Sequence, residues 1–358
     1  MSTAAHRIIQ SLLRAEAEIN LLARCQPSNW AAVKVSLREQ WLLGKRTEPV
    51  FEFAPRPDFS RLRGALESLA TWLGDGGPWS AIWAERAREL VLEAEVAESV
   101  GETVLVSLAC RRFSTGRASE QRALKRLARC WASLEVEPSN QARIESDDDS
   151  NPGSLVRLMR AELTRLQLPF PVRISTKLVA RAAVDDTAVW LKPRELLLTG
   201  EAKRIVAHEV HGHVVRRFNG RHRKHLPFRC GVVSADLDEE GRALWMEAQS
   251  GYLDVSRKVE LGRRHMAALA CRQGATFCDG VELLLKLGAP LDDALAISLR
   301  VWRGGGIARE ILYLTGYLRA ARHLRRDPGL DDWMKKGRLS FEIASRLRQG
   351  RLTLNAAT

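Results

Sequence analysis

The chain has 358 residues, with 56 Lys or Arg against 43 Asp or Glu, and therefore a formal net charge of +13. A content of 45% hydrophobic and 28% charged residues excludes a disordered tail, and the length suits one large domain or two moderate ones. The six cysteines form no CxxC pair, and no apolar run resembles a signal peptide or a membrane span, so we expect a cytoplasmic protein with reduced thiols and no membrane partner.

The first 136 residues predict a helical region. Apolar residues recur at helical spacing from Ile8 to Leu22, from Trp30 to Trp41, from Phe59 to Leu73 and from Trp79 towards Val100. Proline and glycine clusters separate these stretches, and Asn29 is the predicted N-cap of the helix that follows it.

Residues 137–154 are polar and acidic and contain Pro, Gly and Ser, which is typical of a linker or a surface loop. We therefore predict three parts: an N-terminal helical region (1–136), this acidic linker or surface loop (137–154) and a C-terminal region (155–358).

The C-terminal region begins with a helix near Leu155–Leu166 and continues with β-branched, turn-bounded segments at 171–175 and 187–191 that predict strands. A new helix is predicted to open at Thr199. The fold class that follows is α+β, predominantly helical, with a small sheet beside this helix.

The helix after Thr199 contains His208, Glu209, His211 and His213 within six positions. The usual zinc-peptidase spacing of two histidines at i and i+4 fails, because residue 212 is glycine. His208 can pair with His211 on one face of a regular helix. Alternatively, His208 can pair with His213 if the helix widens locally into a π-helical turn at Gly212. The spacing leaves both pairings open.

A third metal ligand is expected from the acidic stretch that follows. Asp236, Asp238, Glu239 and Glu240 precede an apolar helical face, and one carboxylate from this second helix would complete a site of two histidines and one acid. The same acids also suit the N-terminus of a helix through its dipole.

Taken together, HEVHGHVVRRFNG and DEEGRA resemble the HExxxH…EG pattern of the tyrosine carboxypeptidase family. That family includes the microtubule-associated tubulin tyrosine carboxypeptidases and bacterial proteins described as flavohemoglobin-expression modulators with a QEGLA motif. Further similar blocks are Pro27-Ser28-Asn29 with Pro49-Val50-Phe51, Phe113-Ser114 with Gly116, and Arg300–Gly305 with Leu312–Gly316.

The resemblance implies that residues 155–358 form the catalytic region of a gluzincin-like zinc metallopeptidase, in which His208, His213 and Glu240 ligate Zn²⁺ and Glu209 is the general base. It favours the His208–His213 pairing. The chain departs from the family pattern at His211-Gly212, where Gly-Thr is usual, and at EEGRA, which replaces QEGLA. These departures affect the prediction of substrate specificity. His211 is a candidate substrate-binding residue, with a group behind the metal ligands, a proton shuttle or a bystander as the alternatives.

The predicted activity is that of a carboxypeptidase removing a C-terminal residue, with an aromatic residue favoured by the resemblance. Tyr313 is the candidate donor to the developing oxyanion, or else an ordinary core tyrosine. Arg303 and Arg309 are the candidates for binding the substrate's α-carboxylate. An endopeptidase or a maturation protease acting on a ribosomally made peptide is the alternative within this class.

The basic run from Arg216 to His225 includes Asn219-Gly220, which predicts a helix exit followed by a loop. It contains no nucleic-acid-binding motif, so we interpret it as a solvated basic rim that favours an acidic peptide substrate over nucleic acid. A non-catalytic regulator or nucleic-acid-binding protein with a vestigial metal site is the rival from another class. The sequence gives no oligomeric state.

Overall fold

The computed structural model describes residues 3–74, 76–114, 116–137, 140–222 and 227–354. This part of the chain is mainly helical and has five short strands in two small sheets, which confirms the predominantly helical α+β class. The first helices are α1 (Thr3–Ile19), α2 (Leu21–Arg24), α3 (Trp30–Leu42), α4 (Ser60–Leu73), α5 (Pro78–Glu98), α6 (Leu105–Arg112) and α7 (Ala118–Ala132). There follow β1 (Ile144–Glu145), α8 (Leu155–Arg165), β2 (Val172–Ile174), β3 (Ala182–Val184), β4 (Val189–Leu191) and β5 (Leu196–Leu197).

The rest of the chain is helical. It comprises α9 (Thr199–Val206), a π-helix (Ala207–Val214), α10 (Val215–His222), α11 (Pro227–Cys230), α12 (Ala235–Gln249), α13 (Val255–Arg272), α14 (Phe277–Lys286), α15 (Leu291–Gly306), α16 (Ile311–Arg326), α17 (Leu330–Met334) and α18 (Phe341–Arg348). Within the described ranges, no helix is both long enough and apolar enough to cross a membrane.

One compact unit consists of Met1–Glu135 and Lys258–Thr315. The helices predicted for the N-terminal region are present as α1, α3, α4 and α5. Asn29 is the N-cap residue of α3, as predicted, but its side chain makes no capping bond to that helix. Its Nδ2 donates to the carbonyl of Val50 at 2.9 Å and its Oδ1 accepts from the N–H of Glu52 at 3.1 Å. Asn29 therefore fastens the extended segment that follows α3.

The other compact unit consists of Val136–Arg257 and Gly316–Thr358. In its three-stranded sheet the order is β2-β4-β3, with β2 parallel and β3 antiparallel to the central β4. The two strands predicted from the sequence are β2 and β4. A second sheet pairs β1, which lies within the stretch predicted as a linker, with β5. The three-part division of the chain at 136 and 155 stays a prediction.

The core of this second unit lies between α8, the three-stranded sheet, α9 and the π-helix. It is built from apolar side chains that these elements bury, including Met159, Val189, Leu191, Ile205 and Val210. The π-helix contacts both β3 and α12. The small sheet is therefore beside the histidine-bearing helix, as the sequence predicts.

Candidate metal centre

Two histidines project from the π-helix towards one another. The helical ladder widens over Ala207–Val214, so that the N–H of Val215 bonds to the carbonyl of Val210, five residues back. This widening brings residues five positions apart onto one face, and the rings of His208 and His213 have their centroids 5.1 Å apart. The predicted π-helical turn is confirmed.

Glu240 of α12 meets both rings. Its Oε2 lies 3.5 Å from Nε2 of His208 and 4.0 Å from Nε2 of His213. The potential ligand atoms of the three residues all lie within 4.8 Å of one another. Zinc–ligand bonds of 2.0–2.2 Å in a tetrahedral site place two ligand atoms about 3.4 Å apart. Two imidazoles and one carboxylate at these separations could hold a metal ion.

Each of these histidines is oriented by a second carboxylate on α12. Nδ1 of His208 lies 2.7 Å from Oε1 of Glu247, and Nδ1 of His213 lies 2.8 Å from Oε1 of Glu239. In a neutral imidazole, a carboxylate on Nδ1 holds the proton there and leaves Nε2 as the lone-pair donor. Both imidazoles therefore present Nε2 towards Glu240.

The Glu247 carboxylate is itself held by arginines. Arg257 donates to both of its oxygens at 2.8 and 2.9 Å, and Nη1 of Arg204 lies 3.7 Å from Oε2. Burial alone would raise the pKa of Glu247, but Arg257 and His208 lower it to about 2. Burial lowers the pKa of His208, whereas the nearby carboxylates of Glu240 and Glu247 raise it to about 10. The carboxylates around His208 thus favour a positive charge here, either on the protonated ring or on a metal ion.

Glu239 has an equivalent support. Nη1 of the fully buried Arg216 lies 3.7 Å from its Oε2. Burial raises the pKa of Glu239, but Arg216 and His213 outweigh that effect and hold the pKa well below its usual range. Glu239 is therefore an ionised acceptor for His213, and its charge is offset inside the protein.

Close backbone packing fixes α12 against the π-helix. A Cβ on Gly212 would lie 2.5 Å from Cβ of Ala243, and a Cβ on Gly241 would lie 2.2 Å from the carbonyl oxygen of Gly316 in α16. Only glycine permits such approaches. Gly212 thus serves close helix packing as well as the helical widening for which the sequence singles it out.

The structure places the two remaining polar residues of the π-helix differently. The Glu209 side chain is half-buried, and within the described residues no side chain hydrogen-bonds its carboxylate. His211 lies outside the group of three ligands, since its Nε2 is 2.8 Å from Oε1 of Glu162 on α8. The predicted role of His211 in substrate binding stays a prediction.

Tyr313, Arg303 and Arg309 belong to the other compact unit. The hydroxyl of the buried Tyr313 accepts a hydrogen bond from Nη2 of Arg300 at 3.0 Å. Arg303 lies at a break in α15 where Gly304 and Gly305 have φ of 71° and 97°, so the predicted glycine-rich turn is present. Arg303 is buried, and burial lowers its pKa. Their predicted roles towards substrate stay predictions.

The basic run after the π-helix differs from the solvated rim expected from the sequence. Arg216 is fully buried and donates to the carbonyls of Gly337 and Leu339. The predicted helix exit at Asn219-Gly220 is wrong, because α10 continues to His222. A Cβ on Gly220 would lie 2.8 Å from the carbonyl oxygen of Phe228, so this glycine serves close packing. Residues 223–226 of the run lie outside the described residues.

Sequence reasoning missed Glu247 and the supporting role of Glu239. Glu247 lies seven residues after Glu240 on α12, which is two helical turns and places both side chains on one face. That spacing was a usable signal. No sequence signal pointed to the bond between Glu239 and His213, because the choice among four neighbouring acids depends on how α12 is rotated against the π-helix.

A family model described as microtubule-associated tyrosine carboxypeptidase matches residues 43–353, which is most of the chain and includes all three members of the metal-ligand group. The resemblance drawn from the sequence is thereby confirmed. No curated protein matches the chain.

Proposed function

We propose that this chain, which belongs to the microtubule-associated tyrosine carboxypeptidase family, is a zinc-dependent carboxypeptidase that removes a C-terminal aromatic residue from a peptide or protein. The observation that carries the proposal is that the potential ligand atoms of His208, His213 and Glu240 lie close together. Close packing at Gly212 and Gly241 holds the two helices that bear these residues in place. The gluzincin-like character of the fold belongs to the same proposal.

The donor set fits zinc by its chemistry. Two neutral imidazoles and one carboxylate are a ligand set of catalytic zinc sites, which keep a fourth position open. A zinc ion held there would supply a Lewis acid that polarises the scissile carbonyl and acidifies water. Glu239 and Glu247 would keep both imidazoles in the ligating tautomer, as carboxylates do behind other zinc-bound histidines.

Glu209 is the proposed general base. It directly follows His208, one of the proposed ligands. Among the described residues, no side chain hydrogen-bonds its carboxylate, so both oxygens are available to accept a proton from water. In the proposed reaction, one oxygen of Glu209 accepts the proton of the attacking water. The same carboxyl group then gives that proton to the nitrogen of the leaving amino acid.

Recognition of a free C-terminus requires a cation for the α-carboxylate, and a guanidinium binds it with two parallel hydrogen bonds. Arg303 and Arg309 are the proposed binding residues, and Tyr313 is the proposed oxyanion donor. Nε of Arg303 is buried and, among the described residues, has no hydrogen-bond partner. A buried guanidinium with a vacant donor gains by binding an anion, which supports the choice of Arg303.

Metal analysis and mass spectrometry of a peptide library test the proposal together. We expect about one zinc per wild-type chain, and loss of that zinc in His208→Ala and Glu240→Ala. Glu209→Gln is the matched variant, because it should retain zinc and lose hydrolysis. A wild-type protein without zinc, or turnover by Glu209→Gln equal to that of wild type, would contradict the proposal. Internal cleavage of the peptides would instead identify an endopeptidase.

A further inference from the structure

Arg242 is a buried cation beside the metal-ligand group that no step of the proposed reaction uses. It occupies the position where the QEGLA motif has leucine, and its side chain is 1% exposed. Its Nη1 donates to the carbonyl of His211 at 2.6 Å and lies 3.5 Å from that of Gly212. Arg242 thus reaches from α12 to the backbone of the π-helix.

Arg242 contacts the carbonyl of His211, which the helix's own backbone N–H groups leave without a hydrogen bond. The N–H of Val215 bonds to Val210, five residues back, whereas each N–H of the α-helix that follows pairs with the carbonyl four residues back. By that spacing, the next N–H, that of Arg216, pairs with the carbonyl of Gly212. The carbonyl of His211, which lies between the carbonyls of Val210 and Gly212 in the sequence, therefore receives no backbone N–H. A buried carbonyl without a hydrogen-bond donor is unfavourable, so a donor at this point stabilises the widened turn.

Arg242 is held in place from its other side by Asp331, in the first turn of α17. Nε of Arg242 donates to Oδ1 of Asp331 at 2.7 Å, and Nζ of Lys335 also lies 2.7 Å from this carboxylate. Burial would raise the pKa of Asp331, but Arg242 lowers it below its usual value. The ionised Asp331 therefore fixes the plane of the guanidinium.

His211 is anchored on its outer side as well. Its ring pairs with Glu162 on α8 while its carbonyl accepts from Arg242. His211, the residue at which the hydrogen-bond spacing changes, is thus held by its side chain and by its carbonyl. It lies in the sequence between His208 and His213, the two histidines that face Glu240. A shift of this residue would change the angle between those histidines.

We infer that Arg242 and Asp331 are positioning residues that hold the π-helical turn open and so aim His213 at the metal. The inference rests on the proposed zinc site and concerns its preorganisation. Neither residue belongs to the group of potential metal ligands. The pair acts indirectly, through the hydrogen bond from Arg242 to the carbonyl of His211.

Zinc affinity, measured by competition with a chromophoric chelator, and the visible absorption spectrum of the Co²⁺-substituted protein test this inference. In Arg242→Met we expect zinc affinity to fall by about 10-fold or more, the range known for residues behind metal ligands. The Co²⁺ bands should shift, because the ligand angles change. Asp331→Ala should produce a smaller change in the same direction, and Arg242→Lys should recover part of the affinity.

Arg319→Met is the matched control. Arg319 donates to Asp238, so it also tethers α12 through a carboxylate, but its bonds are to Asp238 and not to the π-helix. A purely structural role for Arg242 predicts that both methionine variants lower the melting temperature of the chelated protein equally and keep wild-type Co²⁺ bands.

Wild-type zinc affinity and Co²⁺ bands in folded Arg242→Met would overturn the inference and leave the proposed function standing. If that variant does not fold, the same result in Asp331→Ala overturns it. A wild-type protein that binds no zinc overturns the proposed function and this inference with it.

Discussion

Two adjacent glutamates of α12 have different tasks in the metal centre. Glu240 faces Nε2 of both histidines, whereas Glu239, turned about 100° around the helix, bonds Nδ1 of His213. Both are buried, and burial of two neighbouring carboxylates is unfavourable without nearby cations. Arg216 provides that charge for Glu239, which explains how this chain accommodates an acid where the QEGLA motif has glutamine.

Glu239 can be tested by comparing two substitutions. Glu239→Gln keeps an oxygen that accepts the Nδ1–H of His213, so we expect zinc affinity to stay within a few-fold of wild type. Glu239→Ala removes the acceptor and should weaken zinc binding by about 10- to 100-fold. Both leave Arg216 without its counter-charge, so they should lose stability similarly, and each is the other's control in a chelator competition. Equal loss of affinity in both would show that charge, and not the hydrogen bond, is what matters.

At the scale of elements, the centre depends on how closely α12 approaches its neighbours. Within EEGRA, Gly241 lies against Gly316 of α16 and Ala243 lies against Gly212 of the π-helix. Arg242 bonds the π-helix backbone between these contacts. The helix is therefore located by backbone contact on two sides, and its carboxylates have little freedom to move away from the histidines.

Gly241→Ala should consequently be strongly destabilising. Its Cβ would meet backbone atoms of Gly316, which cannot turn aside as a side chain can, and overpacking of this kind costs about 1–3 kcal/mol or more. Gly200→Ala in α9 is the control, because no atom lies within 4 Å of its added Cβ. That variant should be neutral, or more stable by at most about 1 kcal/mol. Urea unfolding of both measures the difference, and equal midpoints would refute the packing argument.

Sequence periodicity predicted much of this architecture. Helices α1, α3, α4 and α5, strands β2 and β4, and the start of α9 at Thr199 all follow from apolar spacing and turn residues, whereas α6 and α7 were not predicted. Strand β3 was missed because Ala182–Val184 is short and alanine-rich, which carries little strand propensity. The wrong helix exit at Asn219-Gly220 has another cause: these residues stay helical because Gly220 packs against Phe228 and Asn219 bonds the carbonyl of Lys335.

The metal ligands show the same division between local and tertiary information. Spacing restricted the histidines to two pairings, and the choice required knowledge of where a helix widens. That widening depends on Arg242 and Gly212, whose contacts lie about 30 residues away in sequence. Local patterns identify the candidate residues, whereas long-range packing selects among them.

For the whole molecule, the net charge of +13 has to be divided between the interior and the surface. Four arginines near the metal centre are buried and face buried or partly buried carboxylates, namely Arg204, Arg216, Arg242 and Arg257. Their charges stabilise the polar interior. Because these arginines face carboxylates, the buried charges largely cancel, and most of the positive surplus remains on the surface of the protein.

The stability of the folded chain should depend on zinc, because the ligands come from the π-helix and α12 and meet only when both are packed. A ligand that binds only the folded state stabilises it by about 2.7 kcal/mol at 100 times its dissociation constant. We therefore expect EDTA to lower the melting temperature and added zinc to restore it, as followed by calorimetry. Glu240→Ala, which lacks one ligand, should melt at the same temperature with EDTA or zinc. A zinc-induced rise in that variant equal to the wild-type rise would place the stabilising ion elsewhere in the protein.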